Sequence, residues 1–405
     1  FIIGMGGGIL VGKNMGAFTV SDTKIHHNTA AGGGGIYIND NGNLSFGDNV
    51  KIYSNVAKAN NNSQGRGGGI NANNESTLTI TGKNVEIYNN IARCSLYGSG
   101  GGIYLIDSDL TIAAGSGVSI YNNQGPLGGG IAIDRTCNVE IHDAKIHDNT
   151  ATSNGGGIYI AGGRSGALAG GPAVKLGGTT EIYGNTANNG AGVYLGGSAT
   201  YLTSLTITDQ TDIHDNNTTG GASRNGGGIY VAGRGILVVN SADVKIRDNA
   251  AGGHGGGIYI AANGNVTLSA GTLSGNSALT GNGGGIWTGA ALTLNDNFAV
   301  ISNSALKGNG GGIFASGTGA SLTLDGAIIG GSAANANTAL NGGGVALASS
   351  AKLAMINGAV ISHNTATTDG GGIYAASGTG LVLTSGRVSD NTATNGSGGG
   401  IWSAA

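Results

Sequence analysis

Proline, cysteine and charge are all scarce in this chain, and each scarcity closes a door. Two prolines in 405 residues, with no Gly-X-Y period, exclude a collagen triple helix although 85 residues are glycine. The two cysteines, Cys94 and Cys137, fall at different phases of the repeat described below and lack CxxC or metal-ligand spacing. Neither a disulfide framework nor a metal site is therefore expected, and no cofactor is implied. Charged residues make up 10% of the chain, against roughly a quarter in ordinary domains. A net charge of −3 provides no basic footprint for nucleic acid or an anionic membrane. No run of about 20 apolar residues occurs, so this segment is not expected to insert into a bilayer. Hydrophobic residues nevertheless reach 39% and stand at regular positions, which opposes disorder.

That regularity is a repeat. The residue closing each Gly-Gly-Gly-Ile-type motif falls at Ile9, Ile36, Ile70, Ile103, Ile131, Ile158, Val193, Ile229, Ile258, Ile286, Ile313, Val345, Ile373 and Ile401. Intervals run from 27 to 36 residues and cluster near 28, as a fixed coil with loop insertions produces. Each interval holds three strand-like pieces. They are the Gly-Gly-Gly-Ile-Tyr-Ile piece, an alternating piece such as Leu78-Thr79-Ile80, and a piece such as Lys51-Ile52-Tyr53-Ser54-Asn55. All alternate with period two, and none shows a helical 3.6 pattern. The expected fold is all-β, a right-handed parallel β-helix of about 13–14 coils with three short strands each, forming one domain over residues 1–405. At about 4.8 Å per coil, this implies a rod on the order of 65 Å long. The chain opens and closes on a repeat without a polar cap, so a segment of a longer protein is expected.

Stacked coils turn sequence positions into columns. Ile36 and Ile38 point inward, and their counterparts form the aliphatic core. The glycine triplets read as a corner that rejects a Cβ. A column of Asn28, Asn55, Asn90, Asn123, Asn149, Asn185, Asn216, Asn249, Asn276, Asn303, Asn364 and Asn391 reads as an amide ladder at a turn, tolerant of left-handed backbone.

Two outward columns are rich in rings. The first follows each Gly-Gly-Gly-Ile and includes Tyr37, Tyr104, Tyr159, Tyr194, Tyr230, Tyr259, Trp287, Phe314, Tyr374 and Trp402, half of the aromatic residues. The second includes His26, Tyr53, Tyr88, Tyr121, His147, Tyr183 and His214. Intercoil stacking alone accounts for such columns. An exposed apolar strip also marks contact surfaces, so Tyr159, Tyr194, Tyr230, Tyr259, Trp287 and Phe314 are the candidate binding residues for a glycan or protein. Beside them, Lys51 over Glu86, Lys145 over Glu181 and Asp212 over Lys245 are expected to pair between coils. Insertions near 56–66, 91–99, 161–172 and 217–225 are candidate contact loops on the scaffold.

Catalysis is not expected. The best local candidate, Ile141 to Asp148 near Asp134 and Arg135, contains His-Asp neighbours. Adjacent strand residues face opposite ways, which argues against a dyad. Ice binding would need an unbroken threonine array, but its column breaks at Glu140, Lys175, Val238 and Ala354. The pairing of Gly155-Gly156-Gly157-Ile158 with Ile146-His147-Asp148-Asn149, and of Gly370-Gly371-Gly372-Ile373 with Ile361-Ser362-His363-Asn364, resembles the paired repeats of chlamydial-type polymorphic outer-membrane proteins. It is also similar to related bacterial β-helix surface proteins. Gly stands where that family has Ala, and Ile or Val where it has Phe. The resemblance implies export to the cell surface or beyond and adhesion to a host or neighbouring cell. A stalk or filament built by self-association is the alternative, and a polysaccharide-active or tailspike-like β-helix a weaker one.

Overall fold

The computed structural model describes residues 4–13, 16–58, 65–93, 99–162, 171–197 and 202–404. Cys94 and most of the insertions at 56–66, 91–99 and 161–172 lie outside the described residues. The chain divides into two compact units, Phe1–Thr206 and Ile207–Ala405. Each is a parallel β-solenoid, and each contributes seven strands that begin at the residue closing a glycine triplet. In the first unit these strands pair in parallel, in the register Ile9, Ile36, Ile70, Ile103, Ile131, Ile158, Val193. In the second the register is Ile229, Ile258, Ile286, Ile313, Val345, Ile373, Ile401.

The coil has three faces, distributed differently from the sequence expectation. The second and third strand-like pieces share one face, and in three coils of the second unit they fuse into the single strands Gly235–Arg247, Asn265–Ser274 and Leu292–Ile301. The remaining face is a short strand just after the ladder asparagine, for example Val56–Lys58, Ile91–Arg93 and Ser277–Ala278. The insertions at 56–66, 91–99 and 217–225 therefore begin as strand. Runs of two or three residues are too short to display a period, which hides this face from pattern reading.

Inward side chains form the core of the coil. Ile36, Ile38, Leu44, Phe46, Ile52 and Ala57 are all fully buried within one turn of the first unit, at roughly 1.5–3 kcal/mol for each large aliphatic residue. The short face contributes only alanine in most coils, as in Ala151 and Ala187, which pack with the corner residue Ala191, and in Ala278, Ala305 and Ala339. The reason is the adjacent corner. The first glycine of every triplet but that of Gly100 has left-handed backbone, with φ of 65° at Gly67 and 67° at Gly155. At the second, a Cβ on Gly68 would stand 2.6 Å from the backbone of Ile91 in the next coil. At the third, a Cβ on Gly69 would stand 2.7 Å from the Gly102 carbonyl oxygen and 3.1 Å from Asn90 Nδ2. Positive φ thus favours glycine at the first place and close approach at the other two, although Ala191 is accommodated at the second place of one coil.

The asparagines form the predicted ladder. In the first unit the backbone N–H and the Nδ2 of Asn90 both donate to Asn123 Oδ1 at 3.0 Å, and Asn90 Nδ2 also donates to the Ile52 carbonyl at 2.9 Å. The same three bonds recur from Asn55 and Asn123. In the second unit they run through Asn249, Asn276 and Asn303. Every interior amide is fully buried and has all its donors and acceptors engaged. The left-handed residue of this turn is not the ladder asparagine itself. It is its predecessor: Ser54, Asn89, Asn122 and Asp148 have φ between 53° and 55°. The ladder also contains Asn337, absent from the sequence-derived column; it bridges Asn303 and Asn364.

Replacing Asn123 by Ala would strand the Asn90 amide hydrogens and the Ile87 carbonyl in the interior, at about 1–3 kcal/mol per group. The expected loss is roughly 3–5 kcal/mol, read as a fall in the urea midpoint. Asn84 makes an exposed intercoil amide bond to Asn49 at 3.1 Å, and Asn84→Ala should cost less than about 1 kcal/mol. Equal losses for the two variants would contradict this account of the corner.

Candidate functional site

Alternation along the first face places the residue after each glycine triplet away from the core, but not always in solvent. Tyr159, Tyr194, Tyr230, Tyr259 and Trp287 are half-buried, whereas Phe314 is only 6% exposed and Tyr104 is fully buried. Tyr104 is covered by neighbours, including the Arg66 guanidinium 5.3 Å from its ring centre and Asp134, which accepts from its hydroxyl at 3.4 Å.

Among the candidate binding residues, Tyr159 stacks on Tyr194 at 5.3 Å in the first unit. In the second unit Tyr230, Tyr259 and Trp287 form a continuous stack, with centroid spacings of 4.7 and 4.4 Å. Each tyrosine is held by its strand at the intercoil spacing, so stacking is a consequence of register. Burial, reinforced by the neighbouring Tyr230, pushes the Tyr259 phenol up to about 12.

The second column is a longer stack. His26, Tyr53, Tyr88, Tyr121, His147 and Tyr183 lie face to face at 4.7–5.0 Å with interplanar angles of 14° or less. Burial and the Glu86 carboxylate, which accepts from the Tyr121 hydroxyl at 3.2 Å, push that phenol up to about 12. The charge pairs beside it follow the expectation twice, with Lys51–Glu86 at 3.1 Å and Lys145–Glu181 at 3.3 Å. At the third position Lys245 is in register with Asp212, but the ion pair is made by Arg247 at 3.0 Å. The guanidinium reaches across the column with two donors, where an ammonium offers only a point charge.

The His-Asp neighbours behave differently from the sequence argument. His147 Nδ1 meets Asp148 Oδ2 at 2.8 Å, and His214 meets Asp215 at 2.7 Å. The aspartates have φ of 54°, so they have left the strand and fold back beside the histidine. Strand alternation fails to separate them because the turn begins one residue before the ladder asparagine. The pair recurs wherever the turn carries these residue types, and both faces of the His147 ring are occupied by Tyr121 and Tyr183. Asp143 in the same stretch accepts the backbone N–H groups of Thr179 and Gly115 and the Thr179 hydroxyl. Those bonds hold its carboxyl below the usual range, opposite to the shift a general acid needs. Arg135 pairs with Asp107 at 3.2 Å. These groups staple coils together.

Among the described residues no cluster of three metal-ligating side chains occurs, and no helix is long and apolar enough to cross a membrane. Cys137 is buried, which, with the nearby carboxylates of Asp107, Asp109 and Asp134, pushes its thiol up to about 12.

One titrating group near the first-face stack escaped the sequence reading. His254 lies 6.0 Å from the Trp287 ring, and its Nδ1 accepts the Asn282 backbone N–H at 2.9 Å. Burial lowers its pKa below the ordinary value of 6.5. The unfolded chain therefore takes up this proton first, and stability present above about pH 6.5 falls as pH drops through the folded pKa. Urea midpoints should decline more between pH 7.5 and 5 for the native chain than for His254→Gln; parallel declines would contradict the assignment.

Residues 129–329 match the family described as the right handed beta helix region. Residues 358–376 match the Chlamydia polymorphic membrane protein repeat, and this stretch includes one of the two motif pairs quoted above. No curated protein and no solved structure matches the chain. The chain is thus a right-handed β-helix with a repeat of the polymorphic membrane protein type, as its glycine and asparagine motifs suggested.

Proposed function

We propose that this β-helix is displayed at a bacterial cell surface and adheres through its first-face aromatic stack to a glycan or protein on a host or neighbouring cell. The observation behind this reading is the half-buried run Tyr230–Tyr259–Trp287 on a scaffold carrying the polymorphic membrane protein repeat. Rings pre-ordered by their neighbours lose little conformational entropy on binding, and tyrosine and tryptophan dominate contact energetics. Tyr159 and Tyr194 offer a shorter run of the same kind. Phe314 contributes little surface, because it is buried.

A filament or stalk is the second reading, and a separate feature favours it. Leu279, Leu306 and Leu340 are 56%, 65% and 37% exposed, and each follows the inward alanine of the short face in consecutive coils. Such a stripe suits lateral self-association.

The two readings separate in one pair of measurements. For an adhesin, the joint variant Tyr230→Ala, Tyr259→Ala and Trp287→Ala should weaken cell binding by about tenfold or more with the far-ultraviolet spectrum intact. Unchanged binding would sink the aromatic-strip reading. Sedimentation that shifts with concentration, and no longer does so once the three leucines are replaced by Ser, would favour the filament.

A further inference from the structure

The first-face stack in the second unit stops at Trp287. Phe314, its register partner in the next coil, is buried and makes no ring contact with it among the described residues. One indole face rests on Tyr259 at 4.4 Å and 8°, and among the described residues no other ring is stacked on the indole, His254 lying tilted at 39° and 6.0 Å. The indole borders a groove of about 560 Å³ formed by the turns that follow three consecutive first-face strands, at residues 262–264, 289–291 and 316–319. That volume falls in the range of small-molecule sites.

The groove is built around the ring. A Cβ on Gly289 would stand 3.1 Å from Trp287 Cη2 and 3.2 Å from Cζ3, so the glycine lets the indole lie against the turn. No charged side chain lines the groove. Asn263, Ser316 and Thr318 bring neutral polar side chains to it, and none of the three spends its side chain on a hydrogen bond within the described residues. The turn backbone is largely engaged: Asn263 accepts from Arg234 N–H, Gly289 N–H donates to Ile260, and Gly317 N–H donates to Ala348. Strand addition by a peptide has little to pair with here. The available chemistry is one aromatic platform beside several unspent neutral donors and acceptors.

We infer that this groove is a binding subsite for a neutral, hexose-containing glycan, with Trp287 under the C–H face of a sugar ring and Asn263, Ser316 and Thr318 bonding its hydroxyls. An anionic ligand would meet no cation there, and a lipid chain would meet polar walls in an open groove. The inference rests on the adhesin reading and narrows it to one ligand class and one place.

Trp287 and Trp402 are the only tryptophans, so a Trp402→Phe chain reports on Trp287 alone by fluorescence. Titration with neutral gluco-, galacto- and manno-configured oligosaccharides should give a saturable change with at least one of them. Two groove variants keep the test sharp: Gly289→Leu, which crowds the indole, and the joint Asn263→Ala, Ser316→Ala, Thr318→Ala variant, which strips the polar side chains of the groove without touching the core. Each should weaken that binding at least tenfold. No saturable response to any neutral oligosaccharide would overturn the subsite, as would unchanged affinity in the joint polar variant with the spectrum of a folded chain. Cell adhesion measured in parallel separates this failure from that of the adhesin reading. Adhesion lost in the aromatic triple variant but kept in both groove variants overturns the subsite alone. Oligosaccharide binding without any cell adhesion supports the subsite and overturns the wider role.

Discussion

One hydrogen-bonding pattern sets the geometry of every other column in this fold: the buried asparagine ladder at the corner between the second and short faces. A side-chain amide has two donors and an oxygen with two lone pairs, and the coil-to-coil repeat spends all four. An aspartate could not donate, and an alanine would leave the corner's backbone groups unmet. Because the amides lock successive coils at one height, everything upstream and downstream on the coil is forced into register. The glycine triplet is the complement of that ladder. Its third member approaches within a Cβ of the amide, and its second within a Cβ of the short face. Corner and core are therefore one constraint: a bulkier residue at the third place would push the coils apart and break the amide bonds, while the second place admits at most the methyl of Ala191 in one coil.

This explains what could be read from the chain alone and what could not. The motif pair Gly155 to Ile158 with Ile146 to Asn149 marks the corner from both sides, so the solenoid, its register and its core were all legible. Asn337 was not. In the other coils the ladder asparagine follows its inward aliphatic residue by three positions, but between Ile329 and Asn337 the chain inserts a short 3-10 turn at Ala333–Asn335. The spacing breaks while the amide still reaches Asn364 at 2.8 Å. The register thus depends on the hydrogen bond and tolerates a detour in the backbone.

The candidate site was legible in residue identity but not in exposure. Position after the glycine triplet identified the ring column; it could not show that Tyr104 and Phe314 would be covered. Cover comes from residues such as Arg66, whose placement depends on the turn before its triplet, and turns are where the repeat is least regular. The His147–Asp148 contact was missed for a related reason. Alternation is a property of strands, and the strand ends one residue earlier than the motif suggests because Asp148 already has left-handed backbone. The signal was present in retrospect: Ser, Asn, Asp, Gly and His, the types that fill the slot before the ladder asparagine, are those that favour or tolerate that conformation.

Stacking and recognition compete for the same surface. A ring whose two faces meet neighbours at 4.4–5.0 Å contributes stability to the coil stack but offers a ligand only its edge. The long second-face stack from His26 to Tyr183 is of this kind throughout its interior, and its charge pairs and raised Tyr121 phenol belong to the same packing. Recognition through a ring face requires an interruption, where register continues but the next ring is withdrawn. Phe314 supplies that interruption by burying itself, and Gly289 supplies the room for the half-buried indole to settle on the turn. Function on a repeat scaffold of this sort is therefore to be sought where the repeat fails locally, since its regular positions are already occupied by one another.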